Sequence, residues 1–484
     1  MKQKMKVKFT KILFLILIIS IMHTSEAFDR IFPAVFNLTS INGTNGCMIN
    51  GVNKEDWSGT WVRSAGDING DGIEDVIIDS KIDSYVIFGT KQRWSKAISL
   101  TGLNGANGFR IERIVENDDL EKFLGVPPLG SRVSRAGDFN ADGIDDIIIG
   151  SDIAQSYVIF GNKQKWPAVL KLSTLNGNNG FALSGGGWSV SGAGDVNGDG
   201  IDDVIIGVPS DEGKSYVVFG SKQKWAAIKN LDDLSGKDGF IVNGINQGDQ
   251  SGFSVSNAGD VNGDGIADIL IGTGNANQAY VVFGSKEGWP AVIELYSLDG
   301  SNGFAMNGIK SFYNGYSVSV AGDVNGDGID DILIGTVHPC EAFVIFGSKG
   351  KWPAVVELKT LNGNDGFIIH GSMGGGDLVG LSVGEAGDFN ADNITDILIG
   401  HAEARGGGQS HVIFGSKQKW PKVLNATTLN GNNGFTIYRI RQGDDNGYAV
   451  SGAGDVNGDG IDDIIIGAPS ASNKAGQSYI IFGG

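Results

Sequence analysis

The chain has 484 residues and a formal charge of −18, from 55 acidic against 37 basic side chains, which argues against a nucleic-acid or anionic-membrane partner held by bulk electrostatics. Glycine supplies 77 residues and proline only 10, while 41% of the chain is hydrophobic and 9% aromatic. That composition excludes disordered and collagen-like chains and fits short apolar strands joined by tight turns.

At the N-terminus, Lys2, Lys4, Lys6, Lys8 and Lys11 precede an apolar run from Ile12 to Met22, followed by Ser25, Glu26 and Ala27. Residues 1–27 therefore read as an export signal cleaved after Ala27, because the apolar run is shorter than the ~20 residues a membrane span needs. The mature chain, 28–484, is expected to be secreted, extracellular or periplasmic, with no membrane insertion and a charge of about −22.

Next come Phe36 to Met48, with INGTNGCMI, and then one unit that recurs seven times at intervals of about 57 to 71 residues. Its clearest copy runs from Gly187 to Trp225. A short stretch of small residues, Val190 to Ala193, suits an inner strand crowded near an axis. An acidic loop follows, then an unbroken apolar run, Val204 to Ile206, which reads as a strand buried on both faces. Tyr216 to Phe219 form a third run, and Gly239 to Asn243, entered through a glycine-bearing turn, form a fourth.

Four short strands per unit cannot bury both faces, so each sheet must pack on the next until the ring closes. The fold class is all-β, a single seven-bladed β-propeller over 28–484. The segment Phe36 to Met48 supplies the fourth strand of the last blade, beside Tyr479 to Gly483, which joins the two ends and removes a free edge. A linker bearing Trp94, Trp166, Trp225, Trp289, Trp352 or Trp420 follows six third strands and is absent after the last. Cys47 occupies a slot that is Phe109, Phe181, Phe240, Phe304, Phe367 and Phe435 elsewhere, so it reads as a small buried apolar residue, not bonded to Cys340. Asn37, Asn42, Asn393 and Asn425 head N-x-Ser/Thr triplets, which carry glycans only if a eukaryote exports the chain.

The acidic loops span 67–75, 138–146, 195–203, 260–268, 323–331, 388–396 and 455–463 and follow Asp-x-Asn-x-Asp-Gly-x-x-Asp. Their oxygen-bearing residues are Asp67, Asn69, Asp71, Asp75; Asp138, Asn140, Asp142, Asp146; Asp195, Asn197, Asp199, Asp203; and Asp260, Asn262, Asp264, Asp268. The last three blades give Asp323, Asn325, Asp327, Asp331; Asp388, Asn390, Asp392, Asp396; and Asp455, Asn457, Asp459, Asp463. Calcium takes about six to eight oxygens, and oxygen side chains at alternate positions of a tight turn converge on one point. The seventh position, Ile73, Ile144, Ile201, Ile266, Ile329, Ile394 and Ile461, is expected to give its backbone carbonyl while its side chain packs inward.

Glycine at the sixth position permits the reversal, and Asn393, its replacement in blade 6, best tolerates the left-handed backbone. Thr395, like Ala267 in blade 4, replaces the usual acid at the eighth position, and its combination with Asn393 singles out blade 6 as the expected weakest site. A lone Asp/Asn/Gly turn is more often a solvated β-turn, but seven in register point to calcium, up to seven ions, bringing the mature charge to about −8. Strands flank the loops, which excludes an EF-hand helix pair. Near-equivalent sites suit a scaffold better than a catalytic metal.

With Gly252-Phe253, Gly187-Trp188, Gly315-Tyr316 and Gly447-Tyr448, and with Gly467-Ala468-Pro469 and Gly207-Val208-Pro209, the unit resembles the FG-GAP repeat of integrin α-subunit propellers. Asp79 in blade 1, and Gly130-Ser131 in blade 2, depart from that pattern. The resemblance implies calcium loops on one face and a protein or glycan ligand on the other, in an integrin-like head without legs or anchor. On that opposite face the longest connection is Ile111 to Gly130, with Arg405 to Gln409 a second candidate.

No catalytic signature stands out. Of five histidines, His23 falls in the leader, and His338, His370, His401 and His411 make no H-E-x-x-H pair. His370 and His401 fall at expected strand-end loops, where exposed polar residues are the ordinary outcome. The chain therefore reads as an adhesion or ligand-binding module rather than an enzyme; a secreted hydrolase or lyase acting on polysaccharide is the alternative, by fold analogy alone.

Overall fold

The structure, a computed structural model, describes residues 32–113, 132–151, 155–210, 212–308, 317–336, 341–371, 381–402 and 408–484. Residues 1–31 with the expected export signal and His23, together with Cys340, His338, most of the connection after Ile111 and residues 405–407, lie outside that set. No helix among the described residues is long and apolar enough to cross a membrane.

Seven sheets repeat one plan, so the β-propeller expected from the repeats is what the chain adopts. In blade 3 the inner strand Ser189–Gly194 pairs with Asp203–Val208, which pairs with Lys214–Val218 and then Gly239–Asn243, all antiparallel. The inner strand shifts register between Gly192 and Gly194, a bulge that turns the chain out through Gly194 at φ +70° into the acidic loop. Val204, Ile205 and Ile206 are fully buried, as an apolar run without alternation requires.

Each sheet has five strands, one more than the repeat suggested. The fifth comes from the linker of the following blade: Val292–Glu294 lies parallel to Gly239–Asn243, with Ile241 opposite Val292. It brings its tryptophan with it. Trp166 stacks on Phe109 at 4.3 Å and 3°, Trp289 on Phe240 at 4.1 Å and 8°, and Trp352 on Phe304 at 4.3 Å and 3°. Such offset stacks add to the large area each ring buries. Where Cys47 replaces the phenylalanine it is fully buried, and Trp94 packs edge-on against Phe482 at 5.8 Å instead.

Closure uses more of the N-terminus than the sequence suggested. Gly46–Asn50 pairs antiparallel with Gln477–Ile481 and completes blade 7, as expected. Val35–Asn37 lies parallel to Gly434–Tyr438 on the rim of blade 6. The seventh linker is therefore present, displaced to the start of the chain, where Phe32-Pro33-Ala34-Val35 reads in register with Trp166-Pro167-Ala168-Val169. A phenylalanine in the tryptophan slot hid it. Inner strands neighbour one another in cyclic order, Val450–Gly454 of blade 7 meeting Trp61–Gly66 of blade 1, so no blade has an open inner flank.

Candidate metal centres

Every acidic loop hangs between the bulged end of an inner strand and the buried start of the second strand, and its side chains share one geometry. The first aspartate accepts from the backbone N–H groups of the fifth and sixth positions. For Asp67 these bonds are 2.9 Å to Asp71 and 2.7 Å to Gly72, and for Asp388 they are 2.8 Å to Asp392 and 2.9 Å to Asn393. The fifth aspartate accepts from the seventh N–H, as in Asp199 with Ile201 at 3.0 Å. Asn393 has φ +64°, the left-handed backbone its place demanded.

The ninth aspartate is fully buried in all seven loops. One oxygen accepts from the glycine after the third strand, for example Asp203 from Gly220 at 2.8 Å. Over that glycine lies the side chain of the seventh residue: a Cβ on Gly220 would stand 2.7 Å from Ile201 Cγ2. Burial pushes these carboxyls up, to about 8 at Asp268, Asp331 and Asp463, and the aspartates at the fifth and first positions push further in the same direction.

The third-position asparagines are where the loops are incomplete. The Asn140 and Asn325 side-chain carbonyls are buried without a donor. In blades 1 and 7 the amide instead turns its NH₂ to the ninth carboxylate, Asn457 to Asp463 at 3.3 Å. As the side chains stand, no group of three or more His, Cys, Asp or Glu among the described residues is gathered to hold a metal ion. The donor set is nonetheless that of a hard cation: carboxylates that repel one another, one of them desolvated, with amide carbonyls beside them that lack a donor at Asn140 and Asn325.

The eighth position has a different task from the one its sequence suggested. Asp145 accepts from the backbone N–H of Asp67 in the preceding blade at 2.8 Å, and Asp202, Asp330 and Asp462 do the same to Asp138, Asp260 and Asp388 at 2.9, 2.9 and 2.8 Å. These acids clasp neighbouring blades. Ala267 and Thr395 lack the clasp and leave a backbone bond in its place, to Asp195 at 3.2 Å and Asp323 at 3.3 Å. Their substitution removes no ligand from the loop, so it gives no reason to rank blade 6 as the weakest site. The recurrence of an acid in register at this position was the signal; its direction, toward the previous blade, was not readable.

The loops surround the mouth of an axial cavity of about 1130 Å³ lined by inner-strand residues such as Ser191, Ser256 and Ser451. On the described inner strands, three charged residues, Arg63, Arg135 and Glu385, interrupt that small lining. Arg135 pairs with Asp145 at 2.8 Å, Arg63 donates to the Val450 carbonyl at 2.9 Å, and Glu385 stands toward the axis. Glu385 meets solvent inside the shaft yet is walled in by protein, and desolvation, with Asp330 and Asp462 adding, pushes it up to about 7.

On the opposite side much of the expected ligand surface lies outside the described residues. His370 is partly exposed and meets Glu341 at 3.1 Å. His401, expected to be exposed, is buried: it ends the second strand of its blade, beneath Gly371. Cys47 is a free buried thiol, pushed up to about 12 by desolvation.

The profile of the FG-GAP repeat matches residues 186–218, 251–282, 314–336 and 446–481. The chain carries FG-GAP repeats. In blades 3, 4, 5 and 7 the matched FG-GAP segments hold the acidic loop and the strand that follows it. Among proteins similar to this FG-GAP chain, Integrin alpha pat-2 of Caenorhabditis elegans is 33% identical over 237 residues, 43% of the chain and 18% of that protein. Integrin alpha-5 of Xenopus laevis is 27% identical over 217 residues, 41% of the chain and 19% of that protein. Phosphatidylinositol-glycan-specific phospholipase D of Dictyostelium discoideum is 27% identical over 319 residues, 57% of the chain and 32% of that protein. The chain thus spans about a seventh to a third of the curated relatives it matches.

Proposed function

We propose that the protein is a secreted or surface-displayed calcium-binding propeller acting as an adhesion or ligand-binding module, with a protein or glycan held on the face away from the acidic loops. One observation carries the metal reading. The same buried ninth carboxylate recurs in seven loops, each pushed up by that burial and by the charges of the first- and fifth-position aspartates, with orphaned carbonyls at Asn140 and Asn325. In each loop the first, third, fifth and ninth side chains and the seventh carbonyl would hold calcium, as Asp195, Asn197, Asp199, Asp203 and Ile201 would in blade 3. Calcium supplies positive charge there and no bond-making chemistry; the aspartates orient the turn, and the ninth one ties it to the third strand.

The similarity to integrin alpha subunits supports the adhesion reading, and the absence of an odd site among the loops fits a scaffold role. The test is calorimetric titration with CaCl₂ together with thermal melts in EGTA. Saturable binding and a lower melting temperature in chelator are expected; no heat of binding and an unmoved melt would overturn the metal reading. Adhesion is tested separately, by calcium-dependent retention on immobilised matrix proteins and glycans without turnover. The similarity to a phospholipase D favours a second reading, a part of a hydrolase, which release of product from phosphatidylinositol-glycan or polysaccharide would establish.

A further inference from the structure

Blade 6 departs from the repeat at two touching positions. His411 stands where the other third strands have Tyr85, Tyr157, Tyr216, Tyr280, Phe343 and Tyr479. His401 stands where the other blades have Ser80, Ser151, Val208, Thr273, Thr336 and Ala468, all smaller. The rings lie edge to face with centroids 5.3 Å apart and are 5% and 1% exposed, for His401 and His411. His411 Nδ1 meets the Thr436 hydroxyl at 3.1 Å, while His411 Nε2 and both nitrogens of His401 are buried without a partner. Gly371 closes over His401, since a Cβ there would come within 2.2 Å of its Nε2. Buried polar atoms in this state are costly, and a charge on either ring would be costlier still.

We propose that the His401–His411 pair is an acid-sensitive latch: it holds blade 6 closed while both imidazoles are neutral and releases it when either takes up a proton. Among the described residues, no counter-charge is placed to receive that proton. On blade 6 itself, Asp396 and Glu385 lie toward the other end of their strands, and Tyr438 is paired across from Gln409. The rim strand Val35–Asn37 carries no charge. From blade 5, Glu341 is engaged by His370. From blade 7, Asp444 accepts from the Arg441 backbone, Asp445 accepts from Ser470, and Asn446 is neutral. Desolvation depresses both rings, and repulsion from His411 adds to the depression of His401.

His411 is pushed down to about 4, against about 6.5 in an unfolded chain. A base with a depressed folded value contributes stability that is complete above the unfolded value. It is lost as pH falls from about 6.5 toward about 4, because the unfolded chain then binds more protons. The pair is remote from the acidic loops, so the latch holds whether or not calcium binds.

The test compares the wild type with His411→Tyr and His401→Thr, which install residues the repeat itself uses, in melts at pH 7.5 and 5.5 with calcium fixed. The wild type is expected to lose on the order of a few degrees more than the variants over that interval. Hydrogen exchange in the wild type is expected to rise in Asp396–His401 and Gln409–Ile413 before other blades. Should a variant fail to fold, NMR titration of the wild-type imidazole Cε1–H signals decides. Ordinary titration near pH 6.5, or variants that track the wild type, overturns the latch.

Discussion

The ninth aspartate concentrates what a single residue does here. Buried at the start of the second strand, it accepts from a glycine N–H and feels the carboxylates of the first and fifth positions. At Asp268, Asp331 and Asp463 it is pushed up to about 8. Without a cation these groups are partly protonated at neutral pH, and a divalent ion must displace those protons. Calcium binding is therefore expected to release protons at pH 7, so titration heats should differ between buffers of unlike ionisation enthalpy; equal heats would contradict it. The clasp acids act differently. Asp202→Ala leaves the Asp138 N–H without its 2.9 Å partner and is expected to cost about 1–3 kcal/mol in urea unfolding. Calcium binding in the loop that contains it, which does not use this side chain, should be retained. The oxygen spacing of each loop was legible in sequence because alternate residues of a tight turn share a side. The clasp was not, because it joins residues of different blades.

At the scale of elements, the rim strand and its tryptophan fasten each blade to the next. Trp166 is 5% exposed, stacked on Phe109 of the preceding blade, and followed by the parallel strand Val169–Lys171. Trp166→Ala is expected to cost roughly 3–5 kcal/mol, measured by denaturant unfolding, through lost packing and a residual cavity. The same change at an exposed rim residue such as Tyr296 should move stability by less than about 0.5 kcal/mol. The four longer strands were legible from apolar runs and glycine turns. The three-residue rim strand was not, because so short a segment shows no period and its partner belongs to another repeat.

The whole molecule depends on contacts between its two ends. Gly46–Asn50 closes blade 7 and Val35–Asn37 covers blade 6, so removing residues 1–50 strips two sheets of a strand at once. That deletion is expected to abolish a single cooperative melt and expose an aggregation-prone edge. Removal of residues 1–27 alone, which keeps Phe32 in the tryptophan slot of the seventh linker, should leave the melt of the ring intact.

By itself, the sequence determined the number of blades, the order of the four main strands, the position of every acidic loop and the use of an N-terminal strand for closure. All of these follow from local patterns repeated in register. Tertiary structure alone decided that the eighth-position acids reach backward, that the seventh linker lies at the start of the chain, and that two histidines ten residues apart share one buried pocket. Those are relations between neighbouring strands and blades, and side-chain direction across a packed interface is set by the partner surface rather than by the segment that carries it.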